Sequence, residues 1–360
     1  MRQRKLGFTS ILALAALVFA TPAGAQLKLD VFVDPHPIVS GGSIGFAFLG
    51  NKFVGSVDHD GTAALYQTDL KGGNVSLFAP TVSIKGGSID NEHILASSLG
   101  LGGFPNRDLY VAEGTSILHI TNDGTHSGVF ASNFTSPVRA MIFDGIGTFN
   151  YNLLVITLGG DVYRLNHAGV ARFLASLGED VEGMDIAPLH AGFSDFDGYL
   201  ITIGAYSGLL RAVNLWGSVK ILNQANPIPS PEGVHFVPLN LGATINPLEG
   251  FYFANWRANV LKVEPDQFMD FRGDAIVTTE MADHRISRVH WNGTNFEITV
   301  IGNVPNQPED GFFIGPDTLN PIGVCPTPAE NPDDGGHAVW CWPRCKKIVP
   351  HFHRRTDDTI

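Results

Sequence analysis

The chain has 360 residues, 44% of them hydrophobic and only 16% charged, with 41 glycines, 22 prolines and three cysteines. This composition excludes a disordered chain, and glycine without a three-residue period excludes collagen. A formal net charge of −12 argues against a nucleic-acid partner, whose phosphates are held by lysine and arginine.

In chain order, Arg2, Arg4 and Lys5 precede an apolar run from Ile11 to Ala20, and Ala23-Gly24-Ala25 places small residues ahead of Gln26. That is the pattern of a secretory leader over residues 1–25. The run is far shorter than the roughly 20 apolar residues that span a bilayer, and no later stretch is long enough. The sequence therefore predicts a mature chain that begins at Gln26, is secreted or periplasmic, has no membrane span and is a monomer.

The body carries an internal repeat. Leu165-Asn166-His167-Ala168-Gly169 aligns with Val213-Asn214-Leu215-Trp216-Gly217 and with Val289-His290-Trp291-Asn292-Gly293. Thr68-Asp69-Leu70-Lys71-Gly72 and Ile120-Thr121-Asn122-Asp123-Gly124 fit the same frame. Asn, Asp and Gly suit tight turns between strands because they tolerate positive φ at little cost. The closing glycines at 72, 124, 169, 217 and 293 are spaced by 52, 45, 48 and 76 residues.

Two further blocks recur around each turn. Upstream, Phe149–Thr157 resembles Phe196–Thr202 and Phe271–Thr278; downstream, Val181-Glu182-Gly183-Met184-Asp185 matches Pro231-Glu232-Gly233-Val234-His235. Pro137–Phe143 and Asp310–Pro316 are looser copies. A unit of roughly 40–50 residues with four short strands is a propeller blade. The long interval holds an extra hairpin from Gly250 to Val263, either an insertion or a piece of another blade. With Leu27–Val33 closing the ring against a C-terminal strand, the predicted fold is an all-β propeller of four-stranded antiparallel blades. Six blades are favoured, with five or seven as alternatives.

The end differs in kind. Residues 337–360 carry a net +3, and the leader another +3; removing both from −12 leaves −18 on residues 26–336. All three cysteines, Cys325, Cys341 and Cys345, lie in the tail. The domain reading is a propeller over 26–324 and a basic, cysteine-containing tail over 325–360. Zinc on Cys341, Cys345, His351 and His353, a disulfide, or an extension without packed structure are its three readings, and the patternless composition favours the last.

The motifs Leu153-Leu154-Val155-Ile156-Thr157, Val162-Tyr163-Arg164-Leu165-Asn166 and Pro231-Glu232-Gly233-Val234 resemble those of six-bladed propellers of the NHL-repeat and gluconolactonase-like kind. The resemblance covers roughly residues 45–316. It implies that fold, and it implies a Glu in a Glu-Gly turn beside a divalent cation, a role that Glu232 matches. Val234-His235-Phe236 stands where that family has Pro and Trp, and its Asn and Asp ligands have no assigned counterpart.

Equivalent positions of successive blades converge at the mouth of a propeller's channel. Glu182 and Glu232 occupy one such position, Asp310 approximately so, and Arg139 is the match in an earlier blade. Crowded carboxylates repel unless a proton or cation intervenes, and calcium takes carboxylate and carbonyl oxygens. The expected metal ligands are Glu182, Glu232 and Asp310; Arg139, with Asp185 and His235 three residues further along their strands, would contact a ligand. The plainer reading is that these acids are solvated turn residues or local backbone acceptors. Three functions follow: a propeller binding a small molecule or envelope protein, a calcium-dependent hydrolase of lactones or esters, or a structural module of a cell-surface assembly.

Overall fold

The computed structural model describes residues 26–36, 38–57, 64–84, 92–281 and 283–321. The leader, the three cysteines and the tail histidines lie outside the described residues. Strand β1 (Asp30–Val33) comes first in the chain, and the first complete sheet follows as β2 (Ser43–Phe48), β3 (Phe53–Val57), β4 (Leu65–Thr68) and β5 (Ser76–Phe78). The second blade is β6 (Leu95–Leu99), β7 (Asn106–Glu113), β8 (Ser116–Ile120) and β9 (Ser127–Ser132). The third is β10 (Val138–Phe143), β11 (Leu153–Thr157), β12 (Asp161–Leu165) and β13 (Ala171–Ser176). The fourth is β14 (Val181–Ile186), β15 (Leu200–Gly204), β16 (Leu210–Val213) and β17 (Val219–Ile221).

The last two blades interlock. After β18 (Pro231–Phe236), the chain leaves for β19 (Gly250–Asn255) and β20 (Asn259–Val263) before it returns as β21 (Ala275–Thr279), β22 (Arg285–Trp291) and β23 (Phe296–Asn303). The fifth blade is β18-β21-β22-β23, and the sixth is β24 (Pro308–Ile314) followed outward by β19, β20 and β1. The extra hairpin is thus the middle of another blade. The ring is closed by β1 against β20, with Asp30 opposite Lys262, rather than against a C-terminal strand as the sequence suggests. Phe32 drives that closure: its ring lies 4.9 Å from both Phe53 of the first blade and Tyr252 of the sixth.

The turn chemistry is as the repeat predicts. Closing glycines lie at positive φ, 74° at Gly169 and 84° at Gly217, and the Asn166 and Asn214 side chains accept the amides of Ala168 and Trp216. Apolar faces of consecutive sheets pack on one another, as where Phe104, Tyr110 and Phe143 meet between the second and third blades. Inner strands β2, β6, β10, β14, β18 and β24 surround the channel. Among the described residues no helix is long and apolar enough to cross a membrane.

Candidate functional site

Five inner strands share a departure from regular pairing near their first residues. The register slips between Val138 and Ala140, between Val181 and Gly183, and between Pro231 and Val234, with matching slips in β2 and β24. A bulge puts an extra residue on one strand and re-aims its side chain. In β10, β14 and β18 the residue so placed is Arg139, Glu182 and Glu232. The glycine after the acid has its own cause: a Cβ on Gly183 would sit 2.6 Å from the backbone nitrogen of Val234 in the next blade. The Glu-Gly pair therefore joins a side chain aimed at the mouth to a backbone pressed against its neighbour.

These residues meet in a cavity of about 390 Å³ at the channel mouth. Arg139, Glu182, Glu92, Asp180, Glu280 and Glu309 line it on its polar side. Glu232 joins from the buried side: Glu182, Glu232 and Glu280 each place one oxygen within 4.8 Å of the others. Among the described residues, six carboxylates thus face one guanidinium. Arg139 donates to Glu92 through Nη1 and to Glu182 through Nη2, with its Nε 3.6 Å from Asp180. Gln307 donates to Glu280 at 2.8 Å and to Glu309 at 2.9 Å.

One guanidinium and one amide do not satisfy this set. Glu182 Oε2, Glu232 Oε2 and Asp180 Oδ1 are buried with no hydrogen-bond partner, and Glu232 is only 9% exposed. Burial, then the charges of Glu182 and Glu309, holds Glu232 well above the usual carboxylate range. Burial, then Glu92, Glu280 and Glu182, does the same to Glu309. Glu280 is raised by burial and Glu182, and Asp180 is raised to about 6 by burial, with Arg139 opposing. Burial disfavours the charge on Arg139, but Glu182 and the other carboxylates outweigh it and hold the guanidinium protonated. The site stores negative charge that a proton or a bound cation relieves.

Of the residues singled out in the sequence, Arg139, Glu182 and Glu232 come together here. Asp310 does not line the cavity; Glu309 stands in its place, because the bulge in β24 turns Glu309 to the mouth. Pro308-Glu309 repeats Pro231-Glu232, a signal that the adjacent Asp310 obscures. Asp310 instead accepts backbone amides of Gly311 and of Phe46 in the first blade, and burial raises it to about 7. Asp185 has the same role at a different seam: it accepts Phe236 N at 2.6 Å and Ile186 N at 2.7 Å and is raised by burial to about 7. His235 is buried against the Phe251 ring, and burial lowers it to about 3, so it is neutral. Neither Asp185 nor His235 lines the mouth; they are seam and core residues. Glu92, Asp180 and Glu280 were not signalled, since each lies outside the repeated inner-strand motif.

Turns from three consecutive blades form the other wall. Tyr206 follows β15, Trp256 joins β19 to β20, and Met281 follows β21. Tyr206 and Met281 are 82% and 67% exposed.

No protein-family model and no curated protein matches the chain. Solved structures do resemble it. One from the nidogen/laminin complex has a TM-score of 0.50 at 13% identity, over 75% of this chain and 84% of that one. A protein of unknown function from Bacteroides thetaiotaomicron has a TM-score of 0.50 at 11% identity, over 81% and 68%. Virginiamycin B lyase from Staphylococcus aureus has a TM-score of 0.45 at 13% identity, over 76% and 88%. At these identities the likeness is one of fold. The chain is a six-bladed β-propeller with four-stranded antiparallel blades, the architecture of the NHL-repeat-like propellers that its blade motifs resemble.

Proposed function

We propose that the protein is a binding propeller whose channel mouth selects cations. The convergence of Glu182, Glu232 and Glu280, with buried oxygens left unpartnered beside them, carries this reading. An oxygen-only donor set suits a hard divalent cation, and calcium is its simplest occupant. Glu182, Glu232 and Glu280 would hold it, with Glu309 alongside. A leader that delivers the chain outside the cytoplasm would expose the site to the calcium levels at which extracellular modules work, with Kd about 10⁻⁴–10⁻³ M.

The hydrolase reading has one observation in its favour. Asp180 faces the same cavity beside Arg139 and Glu182, where a carboxylate is placed to act as a general base. It would act beside a cation that polarises a carbonyl. Turnover of simple lactones that requires calcium and is lost in Asp180→Asn would establish it; binding without turnover would sink it.

The cation reading is tested by calorimetric titration with calcium chloride and by thermal unfolding with and without the ion. Binding and stabilisation in the wild type, both lost in Glu232→Gln, are expected. No heat of binding and no shift at 10 mM-scale calcium, roughly ten times the weakest such Kd, would overturn it.

A further inference from the structure

The mouth is larger and less polar than an ion alone requires. Each enclosed water needs only about 10–15 Å³ of cavity volume, so the six waters of a hydrated ion take up less than a quarter of a cavity this size. The 390 Å³ present lies in the range of small-molecule sites. Its walls also differ in kind. Carboxylates and Arg139 form one side, while Tyr206, Trp256 and Met281 form a crescent over the fourth, sixth and fifth blades. The corresponding turns of the second and third blades, Gly114-Thr115 and Leu158-Gly159-Gly160, carry no aromatic or methionine side chain.

An exposed tyrosine and methionine in neighbouring turns, facing a charged floor, mark a surface that covers something apolar. The protein's own arginines display both halves of the recognition such a site would use. Arg139 shows a guanidinium held by these carboxylates. Arg257 shows one stacked on the Trp256 ring, 4.2 Å from its centre, the geometry of a cation–π contact. Asp180 Oδ1 and Glu232 Oε2 remain as buried acceptors without donors.

We propose that the ligand of the mouth is an organic cation, an ammonium or guanidinium group on an apolar stem. Its charge is received by Glu232, Glu280 and Glu309, and its stem lies along Tyr206, Trp256 and Met281. An N–H of such a group supplies a donor to Glu232 Oε2, which lacks one, and brings the positive charge that a neutral ligand of the same shape does not. This deepens the cation-selective reading and rests on it; calcium then competes for the same carboxylates. A free amine and a lysine or arginine side chain share this chemistry.

The test titrates the full chain with phenethylammonium, methylammonium, 2-phenylethanol and a capped Gly-Lys-Gly peptide, each with and without calcium. Phenethylammonium is expected to bind at least ~10-fold more tightly than methylammonium, a gain the area of a buried phenyl ring readily supplies. The alcohol is expected not to bind, and calcium to weaken the amine. In Tyr206→Ser/Met281→Ser the advantage over methylammonium should fall to about 2-fold, as expected when most of that apolar contact is removed; a calcium titration of the same variant checks that the carboxylate floor is intact. Equal affinities for the two amines, or an advantage that survives in the double variant, would overturn the proposal. Calcium binding without amine binding would overturn it and leave the cation reading standing; binding of neither would remove both. Tighter binding of the peptide than of phenethylammonium assigns the ligand to a protein partner, and the reverse assigns it to a free amine.

Discussion

Glu182 and Glu232 hold the same bulged position on adjacent inner strands, and each has one buried carboxylate oxygen without a hydrogen-bond partner. The strands that carry them are pressed together through Gly183, so neither acid can move away from the other without disturbing the seam. Their repulsion is built into the ring, and this makes the mouth respond to protons and cations.

The first consequence concerns pH. Glu232, Glu280, Glu309 and Asp180 are all raised in the folded protein. The stability linked to a raised carboxylate is fully present below its unfolded value and is lost as pH rises through its folded one. In calcium-free buffer these acids should therefore pull the unfolding temperature down between pH 5 and pH 8, against the opposite pull of His235, which burial lowers to about 3. Glu232→Gln should unfold at a higher temperature than wild type at pH 8, by about 1–3 kcal/mol in stability, and show little difference at pH 4. A Glu232→Gln gain that fails to grow from pH 4 to pH 8 would contradict this account.

Calcium should erase that slope. A ligand at 100 times its Kd stabilises the native state by about 2.7 kcal/mol, and carboxylates that bind it deprotonate at lower pH. The gain on adding calcium should therefore be larger at pH 8 than at pH 5, and chelation should reverse it. Unfolding curves at the two pH values, with calcium and with chelator, measure this directly.

Asp185 should behave as a seam residue. Its carboxylate joins the fourth blade to the Phe236 amide of the fifth, so Asp185→Ala leaves that amide without its partner. A loss of about 1–3 kcal/mol is expected, with cation binding at the mouth unaltered. If Asp185→Ala abolished calcium binding while the protein stayed folded, Asp185 would belong to the site after all.

Gly183 should not tolerate a side chain. The added methyl of Gly183→Ala meets the Val234 backbone, which cannot rotate aside as a side chain can. Overpacking of this kind costs typically 1–3 kcal/mol. Gly128 on outer strand β9 is the control: nothing lies within 4 Å of a Cβ built there, and Gly128→Ala should be neutral or slightly stabilising. Denaturant unfolding of the two variants separates the cases.

Much of this fold is legible in the sequence. The turn glycines, with Asn and Asp ahead of them, announce hairpins because positive φ is a local demand that few residues meet. Their spacing gives the blade length and leaves the count between five and seven; the six sheets of the fold settle it. The interlock of the fifth and sixth blades was not legible in the same way. A hairpin from Gly250 to Val263 reads alike whether it extends its own sheet or crosses to the next, since strand pairing depends on which edge is open in space. At the mouth, the repeat led to Glu182, Glu232 and Arg139, but chose Asp310 over Glu309 because Asp310 is the acid that directly precedes a glycine, Gly311. Glu280 and Asp180 carry no repeat signal; they enter from a strand end and a loop.

The sequence by itself determined what is local and periodic: strands, turns, blade length and an acid before a glycine in successive units. Only the tertiary structure decided which acids share a volume and which are spent. Asp185 and Glu182 differ by three positions on one strand, yet one is consumed by an amide of the next blade and the other faces the cavity. Alternation along a strand sends neighbouring side chains to opposite faces, a bulge shifts that alternation, and what each face then meets is settled by the closing of the ring.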